Sequence, residues 1–73
     1  MSVFSHPMAK SSDDPTLAIG QIKTFGPLGP KYEVREPLRR LDDGDWLVRV
    51  LLVETGEEAE YRYSRLRADA VAL

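Results

Sequence analysis

The residues that could act as an acid, a base or a metal ligand comprise one histidine, many carboxylates and no cysteine. His6, the single histidine, precedes Pro7 in a segment without periodic apolar residues, so no fixed neighbour is predicted to position it as a base. The run Asp42-Asp43-Gly44-Asp45 looks like part of a calcium loop, but the spaced ligands and distal glutamate of that motif are missing. A solvated turn is the preferred interpretation, because such turns use Asp and Gly.

The other polar residues form no catalytic pattern. The glycines at 20, 26 and 29 precede no predicted helix, so no phosphate-binding loop is indicated. Most carboxylates fall in turns or on alternating polar positions, and serine and lysine have no cysteine or placed histidine beside them for activation. The sequence therefore predicts a protein that is not an enzyme, with no catalytic residue, no cofactor and no metal site.

Length and composition predict one small domain with a marginal core. A chain of 73 residues buries a modest share of its surface, so another protein or a second copy could supply the missing burial. The absence of cysteine excludes disulfides and thiolate metal sites and makes a reducing cytoplasm the expected compartment. The first residues contain no signal-peptide run and no membrane span.

The chain is predicted to divide into a tail and a body. Residues 1–16 are predicted to be a disordered N-terminal tail, because scattered apolar residues lead into a polar stretch that closes at Pro15. Residues 17–73 are predicted to form a single β-rich domain.

Four successive strands predict the fold class. Residues 17–25, with a possible bulge at Gly20, and 31–36 flank a Gly- and Pro-rich turn. Pro37 marks an edge or a bulge, and residues 38–41 continue toward the Asp43-Gly44 turn. Residues 46–53 and 59–63 form a hairpin across Thr55-Gly56. The prediction is a small antiparallel β-meander, an SH3-like partly closed barrel, with a short C-terminal helix or helical turn.

The turn at Thr55-Gly56 also predicts a register. A two-residue loop would place three apolar pairs on one core face. These pairs are Leu52–Ala59, Val50–Tyr61 and Val48–Tyr63. A bulged three-residue loop would shift the pairs, and the Thr-Gly sequence does not decide between the two loops.

The opposite face of this hairpin carries Leu47, Leu51 and Val53, which are too apolar for an ordinary solvated surface. A helix capped by Ser64 is predicted to cover them. Its apolar stripe would consist of Leu66, Ala70 and Leu73. If the helix does not cover this face, a dimer or a partner protein should. The candidate partner-binding residues are Leu28, Leu47, Leu51 and Val53.

Three segments carry a resemblance. They are GQIKTFGPLGPKYEV at 20–34, DGDW at 43–46 and ETGEEAEY at 54–61. Together they resemble a family of short uncharacterised bacterial proteins, a domain of unknown function. The resemblance implies a bacterial origin, a single small domain and a variable N-terminal tail, and it brings no activity or site residue with it.

Two interpretations of the basic and aromatic residues remain open. Trp46 shares the parity of the core residues, yet a tryptophan at the start of a strand can also anchor a partner. A weak nucleic-acid binder is the alternative to a protein-interaction module, with five candidate arginines. These are Arg35, Arg39, Arg40, Arg49 and Arg62. Seven acidic residues between 42 and 60 favour cross-strand Arg–Glu pairs over a basic stripe, so a protein partner or a second copy is preferred.

Overall fold

The computed structural model describes residues 14–72 and shows one four-stranded antiparallel sheet whose strands lie in sequence order. The strands are β1 (Ile22–Thr24), β2 (Lys31–Arg40), β3 (Trp46–Leu52) and β4 (Glu58–Arg62). A 3₁₀ helix (Pro15–Ala18) precedes the sheet, and one α-helix, α1 (Tyr63–Ala68), follows directly on β4. The predicted meander with a short C-terminal helix is confirmed.

The first strand is shorter than predicted. Asp14 accepts hydrogen bonds from the backbone N–H and the hydroxyl of Thr16, at 2.9 and 2.6 Å. Pro15 lies at the start of the turn, where its missing N–H is not needed. The chain therefore forms a 3₁₀ helix that ends at Ala18. The strand predicted over 17–25 was wrong outside Ile22–Thr24. Of the predicted tail, residues 1–13, including His6, lie outside the described residues.

Pro37 interrupts the pairing of β2 with β3, as predicted. The register shifts once between Val34 and Pro37 and again between Pro37 and Arg39. A proline has no N–H for the ladder, so the strand accommodates it with bulges that increase its twist. The two shifts flank Pro37, at the position where the sequence predicts an edge or a bulge.

The β3–β4 hairpin has a longer loop than predicted. Val50 lies opposite Ala59 and Val48 opposite Tyr61, so the register differs by two residues from the predicted one. The Leu52 N–H donates to the Glu57 carbonyl at 2.8 Å, and the residues between them form the loop. Gly56 supplies the left-handed conformation there, with φ of +76°. The predicted pairs were wrong, but a shift of two keeps every side chain on its predicted face.

The core lies on one face of this sheet. Five side chains are fully buried: Tyr32, Val34, Val48, Val50 and Leu66. Ala18 and Tyr63 complete the cluster, so both helical elements pack on the same face as the strand residues. Trp46 is half-buried against this cluster, as the core interpretation of that residue predicts.

The helix α1 begins at Tyr63 and not after Ser64. Its N-cap residue, Arg62, makes no side-chain capping bond. Asp45, in the β2–β3 turn, instead accepts the Ser64 N–H at 3.1 Å and the Ser64 hydroxyl at 2.7 Å. The prediction of Ser64 as the cap was therefore wrong, because an acceptor from a distant turn satisfies the first turn of the helix.

The helix also covers a different face from the one predicted. Side chains alternate between the two faces along β4, and Tyr63 follows Ala59 and Tyr61 onto the core face. The helix that begins at Tyr63 therefore lies on the core side of the sheet, where Leu66 is fully buried. The predicted stripe breaks because the helix ends at Ala68; Ala70 is exposed and Leu73 lies outside the described residues. The expectation that α1 covers Leu47, Leu51 and Val53 was wrong.

The C-terminal segment closes the β1 side of the sheet. The Thr24 N–H donates to the Ala70 carbonyl at 3.1 Å, and the Ala72 N–H donates to the Ile22 carbonyl at 2.7 Å. Within residues 14–72, no segment pairs with the outer edge of β4. The β1 edge of the sheet is thus covered and the β4 edge is open, so the sheet of the described residues is not closed into a barrel, although its meander order is compatible with the predicted SH3-like arrangement.

Candidate functional site

The surface of the sheet opposite the core, here called the outer face, is the candidate site. Because directly paired residues share a face, the register defines its members. Two of its rows are Ile22–Glu33–Leu51–Glu58 and Arg39–Leu47–Arg62, and Arg49–Glu60 lies between them. Neither the 3₁₀ helix nor α1 packs on it, since both belong to the core cluster.

The four predicted partner-binding residues do not form one patch. Leu47 and Leu51 lie on the outer face and are half-buried, while Val53 follows the end of β3 with 50% of its surface exposed. Leu28 is 96% exposed in the β1–β2 loop. That loop and the β3–β4 loop lie at the same end of the meander, where the Val53 N–H donates to the Lys31 carbonyl. Leu28, Leu51 and Val53 therefore lie toward one end of the sheet, and Leu47 lies toward the other.

An ion cluster occupies the centre of the outer face. Arg49 Nη1 donates to Glu58 Oε1 at 2.7 Å. Arg49 Nε lies 2.9 Å from Glu36 Oε2, but its N–H is not aligned for a hydrogen bond. Contact with Glu58, followed by the charge of Glu36, raises the pKa of Arg49. The outer face is thus apolar at several positions and carries a central cation held between two carboxylates.

The five candidate nucleic-acid residues are also dispersed. Arg49 is paired as above, and Arg62 Nη1 donates to Asp43 Oδ2 at 2.7 Å with Asp45 Oδ2 at 3.4 Å. Arg40 stacks over the Trp46 ring, with its guanidinium carbon 5.6 Å from the ring centroid. Arg35 and Arg39 are exposed on β2. Two of the five arginines therefore have carboxylate partners, as the cross-strand interpretation predicts in the case of Arg49.

A cleft of about 520 Å³ lies at the end of the sheet where the β2–β3 turn meets α1. It is lined by Arg40, Trp46, Arg62, Tyr63, Ser64 and Arg67, together with residues 43–45. Trp46 thus lines this cleft and packs on the core. Asp43 and Asp45 place two carboxylates among the arginines, which reduces the attraction of the cleft for phosphate.

A polar network that the sequence does not reveal joins the strands to the C-terminal end of α1. The hydroxyls of Tyr32 and Tyr61 both donate to Asp69 Oδ2, at 2.7 and 3.0 Å. Lys23 is 6% exposed, and its Nζ donates to the carbonyls of Leu66 and Asp69 at 2.6 and 3.2 Å. Burial lowers the pKa of Lys23, an effect that the charge of Asp69 opposes. The network ties the end of α1 to β1, β2 and β4.

The tyrosines of this network predict a pH dependence. Burial first, and then the hydrogen bond to Asp69, raises the pKa of Tyr32 above its ordinary value of 10.0. A tyrosine with a raised folded-state pKa contributes stability that is complete below about pH 10 and is lost as pH rises further. The contribution of Tyr32 to the free energy of unfolding is therefore expected to fall by roughly 1 kcal/mol between about pH 9.5 and 11, whereas Lys23, whose pKa is lowered, contributes with the opposite sign.

Urea denaturation at several pH values measures this slope. Tyr32→Phe should be less stable at neutral pH but should show a flatter decline above pH 10, because it has no phenol at this position to ionise in the unfolded chain. The contribution of Lys23 is common to both proteins and cancels in the comparison. Equal slopes in the two proteins would show that the Tyr32 hydroxyl does not govern the alkaline transition.

Two further observations bound the chemistry of residues 14–72. No helix there has both the length and the apolar character needed to cross a membrane. No group of three or more His, Cys, Asp or Glu side chains in this part of the chain is arranged to hold a metal ion.

Comparison with known proteins places the chain in a family. A family of unknown function (DUF5397) matches residues 9–72, which include every described strand and helix. The chain belongs to this family. It is also similar to an uncharacterised protein of Haemophilus influenzae, with 45% identity over 56 residues that cover 77% of this chain and 89% of that protein. The predicted membership of an uncharacterised bacterial family is confirmed, and family membership assigns no activity to the chain.

Proposed function

We propose that this chain is a non-enzymatic protein-interaction module, an accessory or regulatory subunit that acts in the cytoplasm and binds another protein through its outer face. The observation that carries the proposal is the position of α1. The helix adds Leu66 to the core face, so in the described part of the chain Leu51 and Val53 have no element packed over them.

The composition of the outer face supports a protein partner. Half-buried leucines beside fixed ion pairs resemble the mixture of apolar centre and polar rim found in protein interfaces. The ion pair of Arg49 with Glu58 is already formed, so binding a partner would cost little further conformational entropy for those two side chains. The exposed Leu28 lies toward the same end of the sheet as Val53 and could extend such an interface.

Weak nucleic-acid binding remains the second candidate, on the specific observation that Arg40 stacks on Trp46 beside the cleft. An aromatic ring with an adjacent guanidinium is a platform on which a base can stack. The carboxylates of Asp43 and Asp45 in the same cleft, and the pairing of Arg62 with both, make this candidate weaker than the first.

The proposal predicts that Val53→Thr weakens partner binding while Val71→Thr does not. The two valines are matched, at 50% and 54% exposure, and each change replaces one methyl group by a hydroxyl of similar shape. Removing an apolar contact from an interface should weaken binding roughly tenfold. Affinity capture from the native bacterial cell, mass spectrometry and titration of the recovered protein against both variants provide the measurement.

Equal effects of the two valine changes would contradict the outer face as the binding surface. The nucleic-acid candidate would be favoured instead by binding to mixed oligonucleotides that weakens steeply as salt rises. In that case Arg39→Glu/Arg40→Glu should abolish the binding, and Val53→Thr should leave it unchanged.

A further inference from the structure

The outer edge of β4 presents backbone groups that the sheet does not use. Antiparallel strands direct alternate residues toward each neighbour, so one hydrogen bond fixes the direction of all the others. The Leu52 N–H donates to the Glu57 carbonyl, which places the backbone groups of Ala59 and Tyr61 toward β3. The N–H groups of Glu58, Glu60 and Arg62 therefore point away from β3.

Within residues 14–72, no chain segment accepts these bonds. The Arg62 carbonyl is occupied, because an N-cap residue accepts the first bond of its helix. The free groups are thus the N–H and carbonyl of Glu58, the N–H and carbonyl of Glu60, and the N–H of Arg62. An extended chain lying along this edge could pair with all of them.

This edge carries two glutamates and one arginine on the outer face and apolar side chains on the core face. The arginine, Arg62, is paired with Asp43 and Asp45, so the edge is acidic at Glu58 and Glu60. Glu58 and Glu60 are exposed on the outer face, and Glu36 lies across Arg49 from Glu58. Ala59 and Tyr61 are half-buried on the core face. The Tyr61 ring is held in place by its hydrogen bond to Asp69 and by an edge contact with Phe25 at 5.0 Å between centroids.

This arrangement disfavours a second copy of the same edge. Antiparallel pairing of two β4 strands centred on residue 60 would bring Glu60 directly opposite its equivalent in the other copy. The same register places Glu58 opposite Arg62, but Arg62 is already paired with Asp43 and Asp45 of its own chain. Like charges directly opposite each other destabilise a strand pair. A cationic residue opposite Glu60 would be stabilised instead, and one opposite Glu58 would share that carboxylate with Arg49.

We propose that the outer edge of β4 binds an extended basic segment of a partner protein, which adds to the sheet as a further strand. The segment alternates lysine or arginine, facing Glu58 and Glu60, with apolar residues that pack beside Ala59 and Tyr61. Its main-chain bonds provide affinity, and the alternating side chains provide specificity. This inference rests on the proposed function and specifies the chemistry of the partner.

The test uses the full chain and the probe peptide acetyl-Lys-Val-Lys-Val-Lys-Val-Lys-amide, followed by amide NMR and hydrogen exchange. The N–H groups of Glu58, Glu60 and Arg62 should become protected on binding, while those of Ala59 and Tyr61, already bonded to β3, should change little. The alternation is specific to strand addition. Uniform changes, or none, would overturn the proposal.

Three controls sharpen the result. Glu60→Lys should weaken peptide binding about tenfold, whereas Glu54→Lys, the same charge reversal in the exposed β3–β4 loop, should have a much smaller effect. A peptide N-methylated at its lysines, whose N–H groups would face β4, should not bind, whereas methylation at its valines should have a much smaller effect. This control requires no change in the protein. Protection that appears in the free protein as its own concentration rises would mean pairing with a second copy and would also overturn the proposal.

The outcomes separate this inference from the proposed function. If Val53→Thr weakens partner capture but no peptide binds, the outer face is supported and the edge site is wrong. If the peptide binds with the alternating pattern but Val53→Thr leaves partner capture unchanged, the edge is supported and the outer face is wrong.

Discussion

Leu66→Ala is expected to lower the free energy of unfolding by roughly 2–5 kcal/mol, as truncation of a buried leucine does. Leu66 is fully buried and is the residue through which α1 enters the core beside Val48 and Val50. A six-residue helix is too short to persist without such packing. Loss of the leucine should therefore undock the helix as well as leave a cavity.

Urea denaturation followed by circular dichroism measures this change. The matched control is Leu28→Ala, the same substitution at a residue that is 96% exposed, where stability should change by less than about 0.5 kcal/mol. Equal stability of Leu66→Ala and the wild type would show that the helix does not dock through this residue.

Asp69→Ala is expected to lower the free energy of unfolding by roughly 1.5–3 kcal/mol, the range for hydrogen bonds to a charged group. The substitution removes the acceptor of both the Tyr32 and the Tyr61 hydroxyls and the negative charge that acts on the buried Lys23. The Tyr32 ring is fully buried, so its hydroxyl would have little access to water as a replacement.

The control for this network is Asp42→Ala, which removes a carboxylate from an exposed turn residue. Asp69→Asn should recover part of the loss, because an amide oxygen can still accept from one hydroxyl. If Asp69→Ala and Asp42→Ala have the same effect in denaturation experiments, the network does not contribute to stability.

The sequence predicted the sheet because its signals were local. Alternation along residues 46–52 fixes which side chains share a face, whatever the loop length, and Pro37 marks the bulge by its missing N–H. The β3–β4 register was not predictable from Thr55-Gly56, since loops of several lengths accept that pair. The cap at Asp14 and Pro15 was a usable signal for the 3₁₀ helix, but the apolar run that follows it favoured a strand.

The candidate site was only partly predictable for a different reason. Leu47, Leu51 and Val53 were identified from parity alone, but the face that α1 covers depends on the direction in which the chain leaves β4. The Lys23–Asp69 contact joins residues 46 positions apart, and no local sequence pattern predicts such a contact. The capping of α1 by Asp45 was also not predictable from local sequence, because Asp45 lies in the β2–β3 turn and not next to the helix in the sequence.

The closure of the β1 side has a consequence for the order of folding. The three hairpins pair neighbouring strands, whereas Lys23 contacts the Leu66 carbonyl across 43 positions of sequence. Long-range contacts carry a larger loop-closure entropy than local ones, so the hairpins should form first and the C-terminal closure last. During that interval Val48 and Val50 face water, so the sheet is most vulnerable to aggregation before the segment that follows β4 docks on it.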